Sequence, residues 1–105
     1  MIDPQVERYA AAHTSAPAAH LAGVAAATRE QTQTPGMMSG IVVARLLEAL
    51  VVASRARRVL EIGTFTGYGA LSIAARLPAD GTVITLEADA GRADMARRHV
   101  AESPD

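Results

Sequence analysis

The 105-residue chain contains no cysteine, which excludes disulfide frameworks, thiolate zinc sites and cysteine nucleophiles. Lysine is missing as well, since all ten basic residues are arginine, so Schiff-base chemistry and a lysine general base are excluded. Aromatic residues make up only 3% of the chain. Charge of either sign is not in excess: the formal net charge is −1, unlike the basic balance of a nucleic-acid binder. No apolar run is long enough for a membrane. The longest, Ile41 to Ala53, is interrupted by Arg45 and Glu48 and falls short of the roughly 20 residues a span needs. The start, Met1 to Glu7, lacks a basic segment followed by an apolar one, so no export signal is expected. These absences together predict a soluble, cytoplasmic protein with no nucleic-acid or membrane partner.

What is present is alanine, 23 of the 105 residues, which favours helix but fills little volume. The length allows one small domain, and a chain of this size buries about two-thirds of its unfolded surface. The pattern changes near Arg57. Before it, everything reads as helix. Asp3-Pro4 supplies an N-cap and a first-turn proline for a helix to about His13. Ser15-Ala16-Pro17 opens a second helix to roughly Gln31, and Thr32 to Gly36 reads as a loop. Ser39 caps a third helix to about Ser54, with Val42, Leu46, Leu50 and Ala53 along its apolar face.

After Arg57 the order is strand, helix, strand, helix. Arg57 to Ile62 is a short apolar run ending at Gly63, the pattern of a buried strand. Gly67 to Leu77 predicts a helix stopped by Pro78. Asp80-Gly81 marks a turn, and the β-branched Thr82 to Leu86 a second strand. Asp89 caps a last helix with Ala93, Ala96 and Val100 on one side. Two strands joined by a helix in this order form a βαβ unit with parallel strands and a right-handed crossover.

Glycines at 63, 67 and 69 fall where the first strand turns into its helix. Missing side chains there let a ligand approach the backbone, and in an open α/β sheet ligands bind beyond the carboxyl ends of the strands. The ligand is narrowed by elimination and by charge. A P-loop requires a lysine. A dinucleotide fingerprint starting at Gly67 has Ser72 in place of its last glycine and begins four residues after the strand ends. Glu61 would repel a pyrophosphate at the strand tip but suits the ammonium of an amino acid. Glu87, at the tip of the second strand, suits the paired hydroxyls of a ribose. An amino-acid cation joined to a nucleoside describes S-adenosylmethionine.

The string VLEIGTFTGYGALSIA, followed by DGTVITLEAD, resembles the class I S-adenosylmethionine-dependent O-methyltransferases. Within them it is similar to the cation-dependent branch that includes the catechol and caffeoyl-CoA O-methyltransferases. Met37-Met38-Ser39-Gly40 with Arg45-Leu46-Leu47 is also similar to the family's lead into its third helix. The resemblance covers about residues 36–100 and implies an incomplete Rossmann-like methyltransferase fold of the α/β class, preceded by N-terminal helices. Residues 1–35 would form the helical extension and 36–105 the first part of the donor-binding domain.

By the same resemblance, Glu61, Gly63 and Thr64 line the methionine moiety of S-adenosylmethionine, with Gly67 and Gly69 in the loop beside them. Ser39 reaches the donor from the preceding helix, Tyr68 packs beside the sulfonium, and Glu87 takes the ribose. Two positions depart from the family: Gly69 stands where it has a donor-binding serine, and Ala44 where it has a glycine at a close helix packing. The family's metal-binding aspartate, its other metal ligands and its catalytic lysine are expected beyond residue 105. The Mg²⁺ of the complete family therefore has no ligands in this chain, and no catalytic residue is assigned.

The implied reaction is methyl transfer from S-adenosylmethionine to a hydroxyl of a small catechol- or phenylpropanoid-type acceptor. A truncated or split, catalytically inactive module is the alternative, and a nicotinamide-binding domain is disfavoured by Glu61 and the displaced glycines. An apolar strand with an open edge invites pairing with another chain, so self-association or a homo-oligomer is expected. His13, His20 and His99 lack metal-ligand spacing and read as surface residues. Asp80, Asp89 and Asp94 read as turn or cap residues.

Overall fold

The alternation of helix and strand read from the pattern is present in the computed structural model, which describes residues 2–104. Met1 and Asp105, the outer limits of the two expected segments, lie outside the described residues. The helices are α1 (Pro4–Ala12), α2 (Ala19–Gln31), α3 (Ile41–Ser54), α4 (Tyr68–Ala74) and α5 (Ala90–Glu102), and the strands are β1 (Arg58–Ile62) and β2 (Thr82–Leu86). The strands pair in parallel from Arg58↔Thr82 to Ile62↔Leu86, with α4 as the crossover between them.

Local chemistry explains most boundaries. Asp3 caps α1 by accepting from the Gln5 N–H at 2.7 Å, and Asp89 caps α5 by accepting from Arg92 N–H at 2.8 Å. α2 starts at Ala19, later than Ser15-Ala16-Pro17 suggested, because the carbonyls of Ser15 and Ala16 accept instead from the Arg45 guanidinium of α3. The loop at 32–36 runs into a short 3₁₀ turn at Pro35–Met37. α4 ends at Ala74, three residues before Leu77, because the residue preceding Pro78 is pushed out of the helical region. Ser39 makes no side-chain cap, and Gly40 in extended conformation is the N-cap of α3.

The largest departure is the orientation of α3. Its buried residues are Ala44, Glu48 and Val51, whereas Leu46 and Leu50 of the expected apolar face are more than half exposed and Val42 is exposed too. Ion pairs account for the turn. Glu48 Oε2 accepts from Arg45 at 2.7 Å and from Arg76, just past α4, at 3.1 Å. A paired carboxylate tolerates burial, and Ala44 beside it, 1% exposed, lets α3 approach α4 closely. The alanine at a position where the resembling family has glycine is thus accommodated.

Residues Pro35–Ser54 are long and apolar enough to cross a membrane by length and composition. Their α-helical part is only the 14 residues of α3, about 21 Å at 1.5 Å per residue, which is shorter than a ~30 Å hydrocarbon core.

The core lies where α2, α3 and α4 meet. Leu21, Val24 and Ala25 of α2, Ala44 of α3, and Tyr68 and Leu71 of α4 form one buried cluster, with Met38 packed against it. One sheet face lies beneath α4 and carries the half-buried Val59, Glu61, Val83 and Thr85. The opposite face presents Leu60, Ile62, Ile84 and Leu86, between 48% and 81% exposed.

Candidate functional site

The site begins where β1 runs into the glycine loop. The N–H groups of Gly63 and Thr64 both donate to the Leu86 carbonyl, at 2.8 and 3.0 Å, so the loop leaves the sheet still tied to the tip of β2. Gly63 (φ +95°) and Gly67 (φ +97°) hold left-handed backbone that a side chain would strain. Phe65, between them, also has a positive φ of 51°, a conformation that costs a non-glycine residue about 1–3 kcal/mol. Its N–H donates to Glu87 Oε1 at 2.7 Å, which helps to hold that turn.

Glu87 joins two loops. Its second oxygen, Oε2, accepts from the Asp89 N–H at 3.0 Å. These backbone donors, Asp89 first and then Phe65, hold the Glu87 carboxyl below the ordinary carboxylate range.

Glu61 is in the opposite situation. Burial pushes its carboxyl above the ordinary range, partly opposed by the hydrogen bond from Thr85. Thr85 Oγ1 donates to Glu61 Oε2 at 2.6 Å. That commits the only proton of the Thr85 hydroxyl, so Thr64 is the donor in its 2.5 Å contact with Thr85. The other Glu61 oxygen lies against Gly69, in the space a Cβ there would need. A Cβ at position 69 would therefore require that oxygen to shift, a small move for the end of a flexible side chain.

Of the eight residues expected at the site, Ser39, Glu61, Gly63, Thr64, Tyr68 and Gly69 line one cavity of about 30 Å³ at the mouth of the glycine loop. Ser39 lines it without capping α3. Tyr68 has two places, since it also belongs to the core cluster at 3% exposure, and burial raises its phenol above the ordinary value. Gly67 and Glu87 do not line this cavity. Gly67 faces Ala96 of α5, with room for little more than van der Waals contact. Glu87 opens onto a wider, mainly apolar cleft of about 510 Å³ between the β2 tip and α5. Thr64 lines both spaces, so they adjoin at its side chain.

Three partners were not legible as site residues. Thr85 was read only as a β-branched strand residue, although parallel pairing sets it opposite Glu61. Thr66, fully buried, donates to Thr28 of α2 at 2.8 Å, because the Thr28 proton goes to the Val24 carbonyl. His99 of α5 donates from Nδ1 to the Thr66 carbonyl at 2.7 Å, so it is a half-buried anchor of the loop and not the surface residue expected. Asp80 pairs with Arg57 across the strand starts, and Asp94 pairs with Arg97. Both are exposed pairs of small energetic consequence.

The donor chemistry suits a ligand with a cationic end: an ionisable carboxylate, two hydroxyls and an aromatic ring converge on the cavity. It does not suit a divalent cation. Among the described residues no group of three His, Asp or Glu side chains is placed to hold a metal ion, and no step is derived through one.

Comparison with known proteins gives a consistent picture. The O-methyltransferase family model matches residues 11–104. Catechol O-methyltransferase domain-containing protein 1 of Mus musculus is 43% identical over 70 residues, 67% of this chain and 26% of that protein. Caffeoyl-CoA O-methyltransferase of Populus kitakamiensis is 39% identical over 66 residues, 63% of this chain and 28% of that protein. A tRNA1(Val) (adenine(37)-N6)-methyltransferase of Aeromonas hydrophila is 44% identical over 59 residues, 56% of this chain and 25% of its own length. The O-methyltransferase TomG from Streptomyces achromogenes, solved in complex with SAM, superposes with a TM-score of 0.82 at 32% identity, over 97% of this chain and 47% of that one. The chain thus spans about a quarter of the curated relatives it matches and just under half of that solved chain.

Proposed function

The chain belongs to the O-methyltransferase family, and from that membership we propose that its glycine-loop cavity and Glu87 bind S-adenosylmethionine. The observation that carries this reading is the pair of carboxylates at the tips of two in-register parallel strands. Glu61 takes the ammonium of the methionine moiety, within reach of Ser39 and Thr64. Glu87 exchanges its Phe65 and Asp89 donors for the ribose hydroxyls. Tyr68, at the cavity wall, sets its ring against the sulfonium, a favourable placement for a cation. Gly63 and Gly69 keep the space clear, and Gly67 sets the turn.

The donor supplies a methyl group on a cationic sulfur. In the transfer, an acceptor oxygen forms the new bond to carbon as the sulfur–carbon bond breaks, sulfur keeps the electron pair, and the hydroxyl proton is released to solvent. The described residues bind and orient the donor, and such positioning is a large share of a bimolecular rate enhancement. The proposed acceptor is a small catechol- or phenylpropanoid-type hydroxyl compound. The match to a tRNA adenine methyltransferase makes RNA the comparison to run beside it. Titration calorimetry of the chain with S-adenosylmethionine, its demethylated product and NAD tests the reading. Saturable binding of the first two and none of NAD is expected, and binding of NAD alone overturns it. A methyl-transfer assay with catechol, with and without Mg²⁺, separates an active chain from a donor-binding module.

Self-association belongs to the same proposal. Parallel sheets are normally covered on both faces, and here the face with Leu60, Ile62, Ile84 and Leu86 is open. The chain alone is expected to elute above monomer size, and Ile62→Lys, at the most exposed of these positions, to move it toward monomer. A parent chain that runs as a compact monomer rejects this.

A further inference from the structure

We propose that Thr85 is a positioning residue for the donor: its hydroxyl, itself held by Thr64, fixes one oxygen of Glu61 so that the other is presented to the donor's ammonium. This deepens the donor-site reading above and rests on it. The geometry is a continuous chain. Thr64 Oγ1 donates to Thr85 at 2.5 Å, and Thr85 donates to Glu61 Oε2 at 2.6 Å. A hydroxyl that accepts one hydrogen bond becomes a stronger donor in the next, so Thr64 reinforces the grip on Glu61. Gly69 leaves the present position of Oε1 clear, since a Cβ there would displace that oxygen. Without these constraints a glutamate side chain has several rotamers to lose on binding.

The arrangement also decides when Glu61 is charged. Burial disfavours the carboxylate, and the Thr85 hydrogen bond is what opposes that. The cavity wall brings no cation to help: Tyr68 of α4 is the other titratable side chain among the described residues lining it, the segment before α3 contributes the neutral Met37, Met38 and Ser39, and β2 meets Glu61 with the Thr85 hydroxyl. A positively charged ligand needs the ionised form. Donor affinity therefore falls as pH drops through the Glu61 titration, and loss of the Thr85 hydroxyl moves that fall to higher pH.

The test uses the 105-residue chain and its Thr85→Val and Thr85→Ser variants. Valine keeps the shape and strand preference while removing the hydroxyl. The Glu61 side-chain carboxyl is titrated by carbon NMR without ligand, and S-adenosylmethionine affinity is measured by calorimetry across the same pH range. Thr85→Val is expected to raise the Glu61 midpoint, to shift the pH dependence of binding with it, and to weaken binding above that midpoint about three- to tenfold. Thr85→Ser is expected to restore all three. A merely structural role would leave the midpoint in place, so an unmoved midpoint overturns the proposal, as does a moved midpoint that donor affinity does not follow. Donor binding absent from the parent chain at every pH overturns the functional reading instead, and the carboxyl titration separates that failure from this one. Should Thr85→Val not fold, Thr64→Val is expected to move the midpoint in the same direction by less, and no movement there counts against the proposal.

Discussion

Glu87→Ala is expected to weaken S-adenosylmethionine binding by about 1.5–3 kcal/mol, the range for losing hydrogen bonds to a charged group. That corresponds to roughly 10- to 150-fold in Kd. In the ligand-free protein the same carboxylate accepts from Phe65 and Asp89, so the substitution also removes a tie between two loops. Amide exchange at Phe65 and Asp89 reports that second effect, while calorimetry reports the first. An affinity within twofold of the parent chain removes Glu87 from the donor site.

The pH response gives an independent check on Glu87. Its carboxyl is held below the ordinary range in the fold, so whatever its backbone hydrogen bonds contribute is complete above the unfolded carboxylate pKa. That contribution is lost only as pH falls through the lower, folded value. Glu61 is shifted upward and gains its first proton earlier on acidification. Donor binding is therefore expected to weaken in two steps, Glu61 first and Glu87 second, and Glu87→Ala should abolish the more acidic step.

The second large effect concerns the core. Leu71 is 3% exposed in the cluster formed by α2, α3 and α4, and Leu71→Ala is expected to lower unfolding stability by about 2–5 kcal/mol. Small domains have only about 5–15 kcal/mol in total, so a urea midpoint should fall sharply or the transition disappear. Leu50→Ala is the informative companion. The heptad-like spacing on α3 predicts Leu50 inside, but it is 55% exposed, and its substitution is expected to change stability by less than about 0.5 kcal/mol. A larger loss at Leu50 than at Leu71 would mean that α3 is turned the other way.

The contrast between those two leucines shows where reading the sequence succeeds. The βαβ unit was legible because short-range signals agree: β-branched runs, Pro78, Asp80-Gly81 and the Asp89 cap each act within a few residues. The face of α3 was not legible, because hydrophobic spacing cannot anticipate that Glu48 is buried where it meets the half-exposed Arg76, 28 residues away. For the candidate site, charge and position nominated Glu61 and Glu87, and the resemblance nominated Ser39 and Tyr68. Thr85 and Thr66 escaped notice because a threonine in a strand or turn carries no local mark of its partner. Thr85 follows only from strand register, and Thr66 only from how α2 and α5 pack around the loop.

The bond between Thr66 and Thr28 bears on any attempt to exchange the helical arm for that of a relative. The apex of the glycine loop is fastened on one side to a helix lying well before it in the chain and on the other to His99. A chimera whose donated arm lacks a hydroxyl at position 28 would strand a polar oxygen in a dry interior. Grafts should therefore carry positions 28 and 66 as a matched pair, inherited together or replaced together.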